Sequence, residues 1–397
     1  MLIYFHAMSS VSRRKSKNQF LGDGFMALHN PPFFQLSSSS ISVNTIKKMK
    51  KIIIDRPGGY QRLKLKEFSR PTTRANEVLV EVFAAGVNFA DIFIRLGLYK
   101  SAKEFVGWPI TPGFEFSGKV LECGRDVSGI SEGALVFGLT RFGAYASHLC
   151  VPAKQVYPIA ENSKFTAAQW AAFPAVFLTA YHGLFQNIVL RAGMKILVHS
   201  AAGGVGGALL QLGKIADCRM TAVVGSSHKV DTALAFGADC VIDKSKEDLW
   251  TKAAEICPDG FDAVFDGNGP ATLKESYRHL ASSGKLVSYG FHSLLSTRAG
   301  VANYFKLIYE YLRVPRWNPL TMTIDNKSLI AFNLSYLFHR MDLLEEAMGD
   351  LLKWVEDGKI IAPALQEFPF EKVADAHRAL ESGKTVGKLV LKFAAAK

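Results

Sequence analysis

Cysteine is scarce in this sequence, and its distribution excludes two common kinds of small stabilised domain. The five cysteines are scattered, odd in number and never arranged as Cys-x-x-Cys. This distribution indicates a reducing compartment, without a disulfide framework or a zinc ribbon. The sequence also lacks an uninterrupted apolar run of about eighteen residues, the length needed to span a membrane. Its best candidate, 170–181, is interrupted by Pro174. We therefore expect a cytoplasmic protein without a membrane-spanning helix.

Acidic residues are almost missing from the first 51 residues, where eight Lys and Arg residues accompany Asp23 alone. The formal net charge of +12 is therefore concentrated in this extension, and the remainder has the charge balance of an ordinary soluble enzyme. Nucleic-acid binding is not expected from such a distribution. Three interpretations stay open for residues 1–48: a transit peptide, which would place the protein in mitochondria, a misassigned start of translation, or a disordered tail.

The chain has 397 residues, more than one ordinary core requires, and its pattern changes near the middle. Up to about residue 153, short strand-like segments alternate with turns that contain Gly, which predicts a mostly β unit. The predicted strands are 50–55, 77–84, 116–122, 135–139 and 144–151. Residues 166–186 are apolar on most faces and predict a buried helix, kinked at Pro174, that links two domains.

Beyond residue 194, strands and helices alternate regularly, which predicts an α/β unit with a parallel, doubly wound sheet. The predicted strands are 195–199, 220–224, 240–243, 261–266 and 285–289, and the predicted helices are 205–216, 228–236, 246–256 and 271–280. Further on, we expect a helix that begins near Asp342 and ends before Gly358. A strand over 387–391 is expected to return to the first domain.

A glycine-rich turn follows the first strand of this α/β unit. Its residues Ser200, Gly203, Gly204, Val205 and Gly206 directly precede or open a predicted helix. Without Cβ atoms at positions 203 and 206, the backbone can approach a pyrophosphate, and the helix offers that anion free N–H groups and the positive end of its dipole. Because a dinucleotide site requires this strand–turn–helix context, we predict a nicotinamide cofactor here.

The residues that select between NADPH and NADH are expected about twenty positions further on, at the tip of the second strand. The segment from Gly225 to Lys229 contains no carboxylate that could hold a ribose 2′-hydroxyl group. Lys229, together with the hydroxyl groups of Ser226 and Ser227, suits a 2′-phosphate instead, so we predict NADPH, with Gly225, Ser226 and Lys229 at this end of the site. In the alternative interpretation, Ser227 is only a helix N-cap and Lys229 a surface charge.

Two further turns follow strands of the predicted sheet. Asn268 lies after the fourth strand and Gly290 after the fifth. Since an open α/β sheet binds its ligand at the carboxyl ends of its strands, we expect both residues to face the cofactor. Ordinary turns use the same residue types, and that alternative stays open.

The first unit contains two motifs that identify a family. One runs Asn88-Phe89-Ala90-Asp91 with Arg95, Gly97 and Tyr99 after it, and the other is the segment 112–118, Pro-Gly-Phe-Glu-Phe-Ser-Gly. With the turn at 200–206, they resemble the signature of the zinc-free quinone oxidoreductase branch of the medium-chain dehydrogenase/reductase superfamily, over about residues 50–393. Segments 329–337 and 370–376 are similar, more narrowly, to the synaptic-vesicle amine transport (VAT) membrane-protein subfamily. The resemblance implies a GroES-like, mostly-β catalytic domain (49–173 and 335–397) and a Rossmann NADPH-binding domain (174–334).

Zinc-dependent members of this superfamily hold their catalytic metal with a Cys and a His, and the matching positions here are Asn88 and Phe114. An amide and a phenyl ring cannot make such a site, so no metal is expected. The resemblance thus implies NADPH-dependent reduction of a small apolar quinone or α,β-unsaturated carbonyl, by a homodimer joined through strands near Tyr289 and Phe332. Hydride transfer needs hydrogen-bond donors for the charge on the substrate oxygen, and Asn88 and Tyr99 are the catalytic candidates. Tyr99 could also relay a proton, or only pack.

Several titratable residues are expected to be structural. Asp91 and Arg95 lie four positions apart on a predicted short helix and are expected to pair with each other rather than to take part in catalysis. His182, His199 and His377 have no partner at ligand spacing, and we expect hydrogen-bonded structural histidines.

Residues 303–317 combine aromatic side chains with three cations, Lys306, Arg313 and Arg316. Such a segment could form a lid over an apolar substrate or a peripheral membrane contact. The helical spacing of its apolar residues from Tyr304 to Leu312 favours core packing instead. A second hypothesis builds on the VAT resemblance: a nucleotide-binding lipid or membrane-trafficking protein in which catalysis is vestigial.

Overall fold

The computed structural model describes residues 49–295, 297–298 and 300–393, and the predictions for residues 1–48 lie outside this part of the chain. Its strands are β1 (Met49–Ile53), β2 (Lys64–Phe68), β3 (Glu77–Val87), β4 (Glu115–Cys123), β5 (Leu135–Leu139), β6 (His148–Pro152), β7 (Val156–Pro158), β8 (Lys195–Val198), β9 (Arg219–Val224), β10 (Cys240–Asp243), β11 (Phe261–Asp266), β12 (Leu280–Ser288), β13 (Thr297–Arg298), β14 (Val301–Ala302), β15 (Ser328–Ala331), β16 (Leu365–Pro369) and β17 (Lys388–Lys392).

The α-helices lie in the connections between these strands. They are α1 (Phe89–Arg95), α2 (Lys100–Phe105), α3 (Ala167–Ala171), α4 (Pro174–Tyr181), α5 (Gly204–Ile215), α6 (Val230–Ala235), α7 (Leu249–Ile256), α8 (Leu273–Arg278), α9 (Tyr304–Leu312), α10 (Pro319–Asp325), α11 (Met341–Glu356) and α12 (Val373–Glu381).

The first sheet is built around the long strand β3. Its strands follow the order β16-β17-β3-β4-β5-β7, and β6 also pairs with β3. The pairing of β17 with β3 is antiparallel and places Leu389 opposite Val87, which confirms the predicted returning strand. The side chains on its inner face, among them Val80, Val82 and Phe116, are almost fully buried and form one of the hydrophobic cores.

The second sheet has six parallel strands in the order β10-β9-β8-β11-β12-β15. Strand β8 is central, and Ile196, Leu197 and Val198 on it are completely buried, as expected of a strand covered by helices on both faces. The direction of the strand order reverses between β8 and β11, which is where a doubly wound sheet binds its ligand. The predicted α/β architecture is therefore confirmed.

The predicted elements that differ in kind from the observed ones are a helix and a strand, whereas others differ only in their ends. The helix predicted over 166–186 is divided, because α3 ends at Ala171 and Pro174 opens α4 at its first position, where a missing N–H costs nothing. The strand predicted from residue 144 begins only at His148. The N–H groups of Ala144 and Tyr145 donate to the carbonyls of Gly113 and Pro112 rather than to a neighbouring strand. The domain boundaries at 173/174 and 334/335 stay predictions.

Candidate active site

A cavity of about 700 Å³ lies where the carboxyl ends of β8, β9, β11 and β12 face the first sheet. Among the residues that line it are eleven of the twelve predicted site residues: Asn88, Tyr99, Ser200, Gly203, Gly204, Val205, Gly206, Gly225, Lys229, Asn268 and Gly290. The exception is Ser226, whose hydroxyl oxygen instead lies 3.2 Å from Nδ1 of His228. The fold thus brings together side chains from positions 88 to 290 at one cleft.

The glycine-rich turn is held tightly against the start of α5. Ser200 adopts the left-handed conformation with φ +54°, and the N–H of Gly203 donates to its carbonyl oxygen over 2.9 Å. A Cβ atom on Gly206 would lie 2.5 Å from the carbonyl oxygen of Ser200, so this glycine allows the helix to pack on the turn. The hydroxyl of Ser200 donates to Oδ1 of Asn268 over 2.9 Å, which joins two predicted cofactor residues. The helix N-terminus beside this turn suits an anionic phosphate group.

Lys229 lies at the tip of β9, where the selector was predicted. Its ammonium donates to the carbonyl oxygen of Gly383 over 2.6 Å, and burial, followed by the nearby charge of Lys244, lowers its pKa. Lys244 itself follows β10 and lines the cavity. Sequence reasoning missed this second cation, although the end of the neighbouring strand was the place to look for it.

The alternative interpretation of Ser227 as a helix N-cap is wrong. Helix α6 begins at Val230 after Lys229, and the Ser227 hydroxyl donates to the carboxylate of Asp243 over 2.6 Å. This hydrogen bond, and another from Ser245, lower the pKa of Asp243. The carboxylate of Asp243 is therefore already hydrogen-bonded by two hydroxyl groups of the protein itself.

Asn88 lies directly before α1 and is held through both atoms of its amide. Its Oδ1 accepts a hydrogen bond of 2.7 Å from Lys388, and its Nδ2 donates to Oε1 of Glu115 over 2.9 Å. Lys388 and Glu115 form a buried ion pair with an N–O distance of 2.5 Å. Asn88 therefore enters the cavity with a defined orientation, which the sequence motif alone did not reveal.

Tyr99 takes part in a second polar group on the cavity wall. Its hydroxyl donates to Oδ1 of Asn333 over 2.9 Å, and the same oxygen accepts from the N–H and the hydroxyl of Ser335. Burial raises the pKa of Tyr99, so the phenol stays protonated at neutral pH. Its ring also packs edge-on against Phe114, with centroids 5.9 Å apart. The packing role considered for Tyr99 is therefore present, and its catalytic role stays a prediction.

The prediction that Asp91 and Arg95 pair with each other is wrong. Asp91 accepts hydrogen bonds from the N–H of Gly113 and the hydroxyl of Tyr145, and burial raises its pKa to about 7. Arg95 donates to Glu381 over 2.6 Å. Both side chains are fully buried. Asp91 also accepts from the N–H of Asn88, and neither residue is paired with the other.

The end of the cavity near Phe114 is predominantly apolar. Its walls there include Phe89, Phe93, Leu98, Phe114, Leu294, Phe332 and Phe338. The ring of His292 stacks on Phe89 at 4.0 Å, and burial lowers the pKa of this histidine to about 4, so its ring is uncharged at neutral pH. Phe114, at the position that matches a metal-binding His, contacts the rings of Tyr99 and Phe142. In the described part of the chain, no three His, Cys, Asp or Glu side chains are grouped to hold a metal ion.

The core packing favoured for Tyr304, Ile308, Tyr311 and Leu312 is wrong, because all four side chains are exposed. The aromatic and aliphatic side chains of α9 point outward, and those of Phe305 and Leu312 are 88% and 71% exposed. Glu310 occupies the inward position instead and is 6% exposed. Leu320 and Ile324 of α10 are exposed as well. None of the described helices is both long and apolar enough to cross a bilayer.

Comparison with known proteins agrees with this architecture. Residues 74–161 match the family model of the alcohol dehydrogenase GroES-like domain, and residues 236–391 match that of the zinc-binding dehydrogenases. The synaptic vesicle membrane protein VAT-1 homolog of Rattus norvegicus is 33% identical over 343 residues, which cover 84% of this chain and 81% of that protein.

Two solved structures show the same fold. The quinone oxidoreductase of Escherichia coli in complex with NADPH has a TM-score of 0.75 and 28% identity, with 86% of this chain and 99% of that chain covered. The CurK enoyl reductase has a TM-score of 0.74 and 25% identity, with 87% and 99% covered. The first sheet therefore belongs to a GroES-like domain and the second to a Rossmann domain, as the family resemblance implied.

Proposed function

Because this chain belongs to the medium-chain dehydrogenase/reductase superfamily, and within it to the VAT-1 homolog family, we propose that it reduces quinones or α,β-unsaturated carbonyls with NADPH and without zinc. The chain is an oxidoreductase, and NADPH is its cofactor. The identity of the hydride acceptor is the part that we propose. The observation that supports it is that one cavity is lined by the glycine-rich turn, by apolar side chains such as Phe114, and by Asn88 and Tyr99.

The residues present fit the cofactor. The turn from Ser200 to Gly206 and the start of α5 would hold its pyrophosphate, while Lys229 and Lys244 would hold its 2′-phosphate. When bound, NADPH supplies a hydride. The apolar wall around Phe114 excludes water and accommodates a planar apolar acceptor.

The polar residues supply hydrogen-bond donors for the oxygen of the hydride acceptor. An acceptor oxygen gains negative charge, and a hydrogen-bond donor in a water-poor site stabilises that charge. Asn88 offers such a donor from its amide, and the Tyr99 hydroxyl offers another if it leaves Asn333. Water or Tyr99 would then deliver the proton that completes the reduction.

Steady-state kinetics test this proposal. Purified protein is mixed with NADPH and a panel of acceptors that includes phenanthrenequinone, menadione and hexenal, and NADPH absorbance is followed. We expect oxidation with at least one acceptor and a marked preference for NADPH over NADH. Tight NADPH binding without oxidation by any quinone or enone would overturn the proposed reaction.

A second candidate function rests on the apolar surface of α9 and α10. Three exposed cations, Lys306, Arg313 and Arg316, lie on or next to α9. Exposed aromatic residues beside cations suit the surface of an anionic bilayer, as a lipid-binding or membrane-trafficking role would require. In a flotation assay with phosphatidylserine vesicles, charge reversal of these three residues is expected to reduce binding, whereas reversal of the exposed Lys66, Arg74 and Arg125 is not. Equal flotation of both variants would count against this role.

The homodimer also stays a proposal. Strand β15 lies at the edge of the parallel sheet, and Phe332 follows it directly. An edge strand can pair with the same strand of a second copy. Light scattering after gel filtration is expected to give twice the monomer mass. Because the N–H of Phe332 donates inward to Ser288, the N–H of Ala331 faces the open edge, and Ala331→Pro is expected to give the monomer. A wild-type monomer at micromolar concentrations would contradict the proposal.

A further inference from the structure

Lys388 is buried in the wall of the active-site cavity, with 4% of its surface exposed. Its ammonium donates three hydrogen bonds: to the carbonyl oxygen of Val87 (3.0 Å), to Oδ1 of Asn88 (2.7 Å) and to Oε1 of Glu115 (2.5 Å). An ammonium group has three hydrogens, so its donor capacity is filled. A buried cation costs desolvation energy. Two of its donors go to Asn88 and to Glu115, the partner of Asn88, and the third goes to the backbone of Val87.

Glu115 completes the arrangement from the other side. Its Oε1 accepts from Nδ2 of Asn88 as well as from Lys388, and its Oε2 accepts from the N–H of Ala175 over 2.8 Å. The Asn88 amide is therefore bound at both ends. One of the two Nδ2 hydrogens is donated to Glu115. The other has no protein partner among the described residues, and because Asn88 lines the cavity, this hydrogen is available to a ligand.

Two glycines leave the space that this cluster needs. A Cβ atom on Gly86 would lie 2.6 Å from the carboxyl carbon of Glu115. A Cβ atom on Gly204 would lie 3.1 Å from Cδ of Lys388 and 2.8 Å from Cγ1 of Val176. Gly204 belongs to the turn predicted to bind the cofactor, so the cofactor turn and the Asn88 cluster are packed directly against each other.

We propose that Lys388, together with Glu115, is a positioning residue that holds the Asn88 amide so that its remaining Nδ2 hydrogen donates to the substrate oxygen. The charge of Lys388 on Oδ1 also polarises the amide and strengthens its N–H donor. This inference rests on the proposed function. In reduction of an enone, NADPH would supply a hydride to the β-carbon. The resulting enolate oxygen would accept the Asn88 hydrogen bond until water protonates the α-carbon and gives the saturated carbonyl.

A double-mutant cycle in the full-length protein tests the inference. Lys388→Met, Asn88→Ala and the combination are compared for kcat and KM with phenanthrenequinone, and for NADPH affinity by fluorescence. Because a lost or misplaced donor costs on the order of 10²-fold in rate, each single variant is expected to lose about that factor in kcat. The double variant is expected to be no slower than Asn88→Ala, since Lys388 acts through Asn88. NADPH affinity is expected to change by less than about threefold.

Two further variants separate positioning from a general loss of stability. Lys388→Arg keeps the charge and several donors and is expected to recover most of the kcat lost in Lys388→Met. Lys392→Met is the matched control, because Lys392 lies on the same strand and pairs with Glu367 near the surface. If Lys388→Met does not fold with an unpaired Glu115, Lys388→Met with Glu115→Gln removes both charges and is assayed instead.

Three results would overturn the inference. Independent, multiplicative losses of kcat in the double variant would show that Lys388 does not act through Asn88. A large loss of NADPH affinity with unchanged kcat would make Lys388 a cofactor ligand. A crystal structure of Lys388→Met with the Asn88 side chain in its present rotamer would exclude positioning. A wild-type protein that reduces none of the acceptors would remove the proposed function itself, a result distinct from these three.

Discussion

The ammonium of Lys229 lies 2.6 Å from the carbonyl oxygen of Gly383 and donates a hydrogen bond to it. Lys229 stands at the tip of β9 in the parallel sheet, whereas Gly383 follows α12, which packs on the first sheet. His228 reinforces this contact with a ring nitrogen 3.3 Å from the carbonyl oxygen of Lys384. The residue that was predicted to recognise the 2′-phosphate thus also closes one end of the cleft.

The two cations at this end are expected to determine cofactor preference. A hydrogen bond to a charged group contributes about 1.5–3 kcal/mol, so Lys229→Ala and Lys244→Ala should each weaken NADPH binding by about 10- to 100-fold. NADH binding should change little. Fluorescence titration of both cofactors measures the ratio, and Lys246→Ala, an exposed lysine outside the cavity, serves as the control. An unchanged ratio in both variants would place the selector elsewhere.

Gly203 and Gly206 are expected to respond differently to the same substitution. In Gly206→Ala the new methyl group would lie 2.5 Å and 2.7 Å from backbone atoms of Ser200 and Ala201, so unfolding free energy should fall by about 1–3 kcal/mol. In Gly203→Ala the nearest atom is 3.1 Å away and the methyl group faces the cavity, so stability should hold while NADPH affinity falls. Urea unfolding and cofactor titration distinguish the two. Equal loss of stability in both variants would contradict this assignment.

The parts of the fold that sequence could predict are those encoded by neighbouring residues. The alternation of strands and helices beyond residue 194 gave the parallel sheet, and the turn at 200–206 gave the cofactor end of the cavity. The partners of Arg95 and Asn88 could not be predicted in this way, because Glu381 and Lys388 are 286 and 300 positions away. Helix α9 was misassigned because its spacing is that of an amphipathic helix, and spacing alone does not say whether the apolar face meets the core or solvent.

The buried pair of Arg95 and Glu381 is expected to be important for stability. The two side chains are 0% and 7% exposed, and removal of one partner from a buried pair costs about 3–5 kcal/mol. Arg95→Met should therefore lower the free energy of unfolding by about that amount, and addition of Glu381→Gln should recover part of it. Arg340→Met is the comparison, because the pair of Arg340 with Asp342 is exposed to solvent and should contribute little to stability. Similar losses in both variants would contradict the prediction.

His377 is expected to make stability depend on pH. It is fully buried against Tyr145, neither ring nitrogen has a partner among the described residues, and burial lowers its pKa to about 3. The prediction of a hydrogen-bonded histidine is therefore wrong at this position. Because the unfolded chain binds the proton near pH 6.5 and the native state does not, stability is present above that pH and is lost as pH falls, by about 2 kcal/mol at pH 5.

Replacement of this imidazole should remove that part of the pH dependence. His377→Leu is expected to be close to neutral at pH 7.5 and relatively stabilising at pH 5, since no buried base remains to be protonated. Urea unfolding at both pH values measures the difference, and His339→Gln, which alters an exposed histidine, is the control. Parallel losses of stability in wild type and His377→Leu between the two pH values would disprove the assignment.

Strand β17 has a consequence for how the protein is made. It pairs with β3 and carries Lys388 to the carbonyl of Val87, 301 positions earlier in the chain. The N–H of Gly387, just before it, donates to the carbonyl of Ala202 in the cofactor turn. During synthesis, the C-terminal part of β3, from Ala84 to Val87, therefore lacks its β17 partner until the whole Rossmann domain has been translated, whereas β6 already pairs with the part from Glu77 to Glu81. Such long-range closure slows folding and makes the nascent chain dependent on protection from aggregation.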